Sequence, residues 1–185
     1  MKSQSASGKI RLHDKEFRVF RNAEEIRVAV SKIAGRINSE LQGQNPIFLA
    51  VLNGSFLFAA DLMKQVTIES SINFIRVSSY SGLRSRGEVK TVFGIENVKD
   101  RVVVILEDIV DTGNTLDAIM KMLDKENTKD VKVATLLFKP GAYKKARKID
   151  YVGMEVPDEF LVGYGLDYNE AGRNLSDIYI LEPEK

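Results

Sequence analysis

The sequence predicts an α/β domain in which a central, mostly parallel sheet is flanked by helices. Short runs of continuous apolar residues, as expected of strands buried on both faces, alternate along the chain with apolar stripes at helical spacing. The separations between the runs suit parallel βαβ units with right-handed crossovers. After Lys148 this regularity lapses: YVGME, FLVGYG and IYIL are divided by Pro157, Gly163, Gly165 and Gly172, which predicts a β-rich or loop-rich appendage over the sheet.

In chain order, a polar tail of about nine residues precedes a short strand around Phe17 and Val19. Ile26, Ala29, Val30, Ile33, Ala34, Ile37 and Leu41 then form the stripe of an amphipathic helix. Asn22 followed by Glu25 reads as a capping box with Asn in the usual Ser/Thr place, and Gly43 as the C-terminal stop. IFLAVL (47–52) is a buried strand, and the turn NGS leads from it into a helix over FLFAADLMKQ. INFIRVSSY (72–80) reads as a third core strand and SGLRSRGEVK (81–90) as a long exposed loop. RVVVILED (101–108) is the strongest buried-strand signal, and its carboxylates leave the strand into IVDTGNT. Leu116, Ile119, Met120 and Leu123 make the next helical stripe, and VKVATLLF (131–138) is a further strand ended by Lys139-Pro140-Gly141. Met63 and Met120 read as core residues, whereas Met122 is open either way.

Composition narrows the chemistry. A length of 185 residues with 44% hydrophobic content suits one domain that buries roughly 70% of its unfolded surface. The absence of cysteine excludes disulfide frameworks, thiol nucleophiles and thiolate metal sites, and fits a reducing, cytoplasmic setting. His13 is the single histidine and reads as a surface residue. The longest apolar run, Ile47–Leu52, falls far short of the roughly 20 residues of a membrane span, and the polar opening MKSQSASGK does not read as a signal peptide. A net charge of +1 disfavours a general nucleic-acid binder. That balance hides an acidic section from 150 to 185 and the basic run Lys144, Lys145, Arg147 and Lys148, which reads as a solvated face.

VVVILEDIVDTGNTL carries the chemistry, because ligands of open parallel sheets bind beyond the carboxyl ends of strands. Glu107, Asp108 and Asp111 are followed by Thr112, Gly113, Asn114 and Thr115 where a helix begins. Backbone amides at a helix start, two hydroxyls and a glycine that permits close approach make a phosphate cradle. Acids beside a phosphate need mediators, and sugar hydroxyls or a hard divalent cation serve. The pattern therefore describes a ribose-5-phosphate clamp with a metal nearby. In the competing structural reading, Asp111 or Thr112 caps the helix and the other acids are solvated turn residues.

The same string resembles the phosphoribosyl-pyrophosphate (PRPP) signature of the type I phosphoribosyltransferases. LNGSFLFAADL, SSYSG, LLFKP and VPDEFLVGYGLDYNEAGRNL follow the order of the 6-oxopurine branch, the hypoxanthine and hypoxanthine-guanine enzymes, across roughly residues 10–182. The resemblance implies the type I phosphoribosyltransferase fold, with a small hood mainly from 150–185 plus the N-terminal segment and a mobile lid at about 79–91. It implies Mg²⁺-dependent transfer from PRPP to hypoxanthine or guanine, giving IMP or GMP and pyrophosphate. Glu107 and Asp108 would hold the ribose hydroxyls and organise metal, residues 112–115 the 5-phosphate, and Asp111 would be the general acid/base at purine N7. Asn53 and Gly54 match the pyrophosphate loop, with a cis peptide between Leu52 and Asn53; the family often has lysine at the position of Asn53. Lys139 would donate to the O6 of the base, Phe160 stack on the purine, and the backbone of Leu161 read its edge. Asp167 would coordinate a second Mg²⁺ beside purine and pyrophosphate, Arg173 bind pyrophosphate, and Ser79 and Tyr80 open the lid, with Arg84, Arg86 and Lys90 giving it basic character.

Two other readings accompany this one: a guanine- or xanthine-preferring enzyme, and a PRPP-sensing regulator that binds nucleic acid. The acidic C-terminal section speaks against the regulator. Expected partners are thus small molecules, with no nucleic acid and no membrane, and the resemblance implies a homodimer or homotetramer.

Overall fold

Helix α1 (Ala23–Glu40) forms where the stripe predicts, and Ile26, Ala29, Val30, Ile33, Ala34 and Ile37 are its buried face. Its capping box is complete: the Glu25 amide donates to Asn22 Oδ1 at 3.0 Å and the Asn22 amide to Glu25 Oε2 at 2.9 Å. The helix closes at Leu41, whose amide donates to Ile37 O. Gly43, at φ 74°, turns the chain after this cap and is not itself the stop.

The computed structural model describes residues 8–78, 90–91 and 95–183. The main sheet contains β3 (Ile47–Leu52), β4 (Ser71–Ser78), β5 (Lys90–Thr91), β6 (Val102–Val110), β7 (Asp130–Phe138) and β8 (Tyr151–Glu155), ordered β5-β4-β3-β6-β7-β8. All pairings are parallel except β4 with β5. Alternating side chains feed the two faces. Phe48, Ala50, Val104 and Leu106 pack with α1 and α2 (Phe56–Met63), while Leu49, Val51, Val103 and Ile105 pack with α3 (Asn114–Leu123). From β3 the chain proceeds to β4 on one side, and the later strands build from β6 on the other. The carboxyl ends of β3 and β6 therefore frame a switch point.

A second sheet, β1-β2-β10-β9, joins β1 (Lys9–Leu12) and β2 (Lys15–Arg21) to β9 (Leu161–Val162) and β10 (Ile178–Leu181), all antiparallel. Phe17, Val162 and Tyr179 fill its small core. This second sheet is made from segments expected to form the hood, and it is tied to the main body across long stretches of chain: the Ala23 amide at the start of α1 donates to Asp177 Oδ1 at 2.8 Å.

Several boundaries differ from expectation. Strand β6 continues to Val110, two residues past its predicted end at Asp108, so Glu107 and Asp108 lie inside the strand and not at its exit. YVGME is β8 of the main sheet and not part of the hood, because its pairing with β7 extends the parallel ladder. Lys9, placed in the polar tail, already belongs to β1. Lys90, placed in the exposed loop, pairs with Ser78, so the chain returns beside the strand it left. Met63 and Met120 pack against the core, as does Met122. No helix among the described residues is long and apolar enough to cross a membrane.

Candidate active site

Strand β6 ends on Val110 and α3 starts at Asn114, so residues 111–113 make the turn between them. Gly113 is the residue preceding α3 and sits at φ 83°, a left-handed conformation that suits glycine. No side chain caps the helix, which removes the reading of Asp111 or Thr112 as caps. The opening amides of α3, with the positive end of its dipole, are left available at the edge of a cavity. That cavity, of about 320 Å³, is lined by the continuous stretch 107–116, together with Val51, Leu52, Gly54 and Val77.

The carboxylates of the strand end are poorly solvated. Glu107 is 6% exposed, and burial together with the neighbouring Asp108 pushes its carboxyl well above the usual range. Burial also raises Asp108, to about 6, although two backbone bonds and the Arg173 charge oppose the shift. Neither carboxylate has an ion-pair partner among the described residues. Two such oxygen donors facing a polar cavity suit a hard divalent ion that takes its remaining ligands from water and substrate phosphate. The described residues contain no cluster of three or more metal-ligating side chains, so the protein alone does not make a closed metal cage.

The turn after β3 approaches from the other side. The peptide bond Leu52–Asn53 is cis, as the resemblance implies. Gly54 lies so close to Asp108 that an added Cβ would sit 1.8 Å from its Oδ2. Behind the turn, buried Ser55 donates to Val51 O at 2.7 Å. Asn53 is exposed and does not line the cavity.

Lys139, Phe160, Leu161, Asp167 and Arg173 do not line that cavity either, and they fall into neighbouring groups. Lys139 Nζ, largely buried, pairs with Asp111 at 3.1 Å and Asp158 at 3.5 Å. Phe160 is 46% exposed and rests against Tyr168 edge-to-face, with ring centroids 5.8 Å apart, and near Phe17 at 6.4 Å. Leu161 is buried in β9. Asp167 Oδ1 pairs with Arg173 at 2.6 Å, while its Oδ2 accepts from the Glu170 amide at 2.8 Å. The charges of Asp167 and Arg173 both reach Asp108, which places this pair beside the strand-end carboxylates. Ser79 and Tyr80, with Arg84 and Arg86, lie outside the described residues, as does the side chain of Lys90.

Sequence reasoning missed three supports. Tyr143 and Lys145 back the turn between β6 and α3: a Cβ on Gly113 would meet Tyr143 Cε2 at 2.6 Å and Lys145 Cγ at 2.9 Å. Lys145, read as part of a solvated run, pairs with Asp117 on α3 at 2.6 Å. Gly165 sits on the β3 turn, with a would-be Cβ 2.0 Å from Gly54 O. The density of glycines in FLVGYG was the signal for this last contact, but a glycine-rich string does not say what approaches it.

The chain matches the model of the phosphoribosyl transferase domain over residues 20–169. It is 41% identical over 173 residues to the hypoxanthine-guanine phosphoribosyltransferase of Bacillus subtilis, covering 92% of this chain and 96% of that protein. It is 38% identical over 184 residues to the bifunctional protein TilS/HprT of Listeria innocua, covering 98% of this chain and 28% of that much longer relative. Among solved structures, the hypoxanthine phosphoribosyltransferase of Staphylococcus aureus superposes with a TM-score of 0.83 at 37% identity, covering 90% of this chain and 91% of that one. The hypoxanthine-guanine phosphoribosyltransferase of Bacillus anthracis does so with a TM-score of 0.83 at 36% identity, covering 89% and 98%.

Proposed function

The chain belongs to the phosphoribosyl transferase domain family, among the hypoxanthine-guanine phosphoribosyltransferases, and from that premise we propose that it joins hypoxanthine or guanine to the phosphoribosyl group of PRPP in purine salvage. The observation that carries the reading is the unbroken cavity wall of residues 107–116, which sets a buried acid, Glu107, a half-buried one, Asp108, and an uncapped helix start side by side.

In this reading residues 112–115 bind the 5-phosphate through amides and hydroxyls, and Glu107 and Asp108 accept hydrogen bonds from the ribose diol. Glu107 and Asp108 would hold one Mg²⁺ and Asp167 a second, which when bound would offset the charge of pyrophosphate. Asn53, Gly54 and Arg173 meet the pyrophosphate, with Ser79 and Tyr80 at the lid. The C1–O bond to pyrophosphate breaks with its electron pair on the leaving group, and purine N9 bonds to C1. The proton released from the base passes to Asp111 at N7.

The contact of Lys139 with Asp111 supports this division of labour. N7 and O6 share one edge of a 6-oxopurine, so adjacent ammonium and carboxylate groups match O6 and N7 of one ring. An ammonium donates but cannot accept, which favours a 6-oxo over a 6-amino base. Phe160 stacks on the ring, and the Leu161 backbone reads its far edge. Products are IMP or GMP and pyrophosphate; a homodimer or homotetramer and a cytoplasmic setting belong to the same reading.

The test is a product assay with PRPP and Mg²⁺, in which hypoxanthine, guanine, xanthine and adenine are offered separately. Nucleotide from hypoxanthine or guanine but not adenine is the expected result. No nucleotide from any base would overturn the reading.

A further inference from the structure

Building on the phosphoribosyl transfer proposed above, we propose that Tyr164 and Asp61 form a clamp that seats the hood on the β3 turn and so sets affinity for the pyrophosphate-bearing substrate. Neither side chain reaches the cavity, and both are positioning residues.

Tyr164 is 7% exposed and has a left-handed backbone at φ 47°, between Gly163 at φ 97° and Gly165 at φ 100°. A bulky residue holds such a conformation only where its surroundings fix it. The phenol supplies one fixing contact, donating to Asp61 Oδ2 at 2.8 Å across 103 positions of sequence. Asp61 lies on α2, the helix that begins immediately after the β3 turn, and its Oδ1 accepts from Lys64 at 2.9 Å. Burial raises the Asp61 carboxyl, but the bonds from Lys64 and Tyr164 outweigh it and leave it below its ordinary value. Burial and the Asp61 bond push the phenol upward, so the donor keeps its proton.

The consequence appears one residue further on. Gly165 lies directly over Gly54 O. Its own carbonyl accepts from Arg173 Nη1 at 2.7 Å, and its amide donates to Arg173 O at 2.9 Å. Arg173 in turn holds Asp167. Gly165 therefore registers the Gly54 turn against the Arg173–Asp167 pair, and Tyr164 anchors Gly165 to the helix that continues that turn. Among the described residues, no hydrogen bond or ion pair joins residues 112–115 to Tyr164, Asp61, Gly165 or Arg173, so loosening the clamp acts on the pyrophosphate side selectively.

The experiment compares Tyr164→Phe, Asp61→Leu, Asp61→Asn and the Tyr164→Phe/Asp61→Leu double variant in steady-state kinetics. Pyrophosphate binding by calorimetry with Mg²⁺ serves as a readout independent of turnover. A lost bond to a charged acceptor corresponds to about a tenfold effect. Tyr164→Phe is expected to raise the PRPP KM and the pyrophosphate Kd by about that factor, with the hypoxanthine KM and kcat within about twofold. Asp61→Leu should reproduce this, and Asp61→Asn, whose amide oxygen accepts the same bond, should stay within about twofold of the parent. The double variant should be no worse than either single one. Unchanged PRPP KM and pyrophosphate Kd in Tyr164→Phe, or in Asp61→Leu if the former does not fold, would overturn the clamp. Equal rises in both KM values would do so too. A parent protein that makes no nucleotide would instead overturn the proposed reaction, leaving the calorimetric comparison to decide the clamp.

Discussion

The β6–α3 junction and the hood reach the same end of the sheet by different routes. At the junction, ten consecutive residues, 107–116, line the cavity, and their placement follows from one strand, one left-handed glycine and one helix start. The hood that carries Phe160, Asp167 and Arg173 is itself held in place by contacts between distant parts of the chain. Asp177 receives the Ala23 amide, Glu182 pairs with Lys9 at 2.6 Å, and Tyr164 reaches Asp61. The junction is thus specified locally and the hood by assembly. Substitutions at the junction should change chemistry while leaving the fold intact, whereas those in the hood should act through geometry.

The sharpest break in that comparison is Asp111→Ala. It is expected to lower kcat by about 10²–10⁴-fold, the range for a lost general acid/base, while PRPP still binds. Turnover rates with isothermal binding of PRPP check it, and full activity would remove Asp111 from its proposed role. Next in size is the pH response of Asp108, whose folded value of about 6 lies above its ordinary 3.8. Between these values the folded chain binds this proton more tightly than the unfolded chain. Its contribution to stability is full below about pH 4 and declines as pH rises through 6, by on the order of 2–3 kcal/mol. Without Mg²⁺, Asp108→Asn should lessen the decline but not abolish it, because burial holds the Glu107 carboxyl high as well, and denaturant titrations of both proteins at pH 4.5 and 7.5 measure the difference. The smallest effect belongs to the hood: Asp177→Ala removes the acceptor for the Ala23 amide and should cost about 1 kcal/mol of stability. Its KM values should stay within about twofold of the parent, because neither Asp177 nor any residue of α1 lines the cavity.

The same contrast explains what could be read from the sequence. The α1 capping box, the β3 and β7 strands and the stripe of α3 each rest on residues a few positions apart, and the structure reproduces them. Strand β6 runs on past Asp108 because Ile109 and Val110 pair with Leu137 and Phe138 of β7, more than twenty residues later, and the letters of the strand itself do not announce that partner. The strand YVGME was assigned to the hood because its neighbour β7 is not visible in its own composition. Strand β1 was hidden in a polar segment whose pairing with β2 supplies the order. At the site, the residues of the cavity wall were legible in one motif. The backing of Gly113 by Tyr143 and Lys145 was not, since a basic run on a solvated face and one on a helix start have the same letters.

That backing belongs to a turn with a second duty. The amides of Ala142 and Tyr143 both donate to Lys139 O, at 3.2 and 3.1 Å, and the Tyr143 ring packs against Phe138 at 5.3 Å. One short turn therefore supports both the lysine at the proposed base edge and the glycine beneath the proposed phosphate. On the proposed assignments, base choice and sugar-phosphate grip share a foundation. Redesign of this turn for a different purine would carry a change in sugar-phosphate affinity with it, and a lineage that altered the one would have to readjust the other.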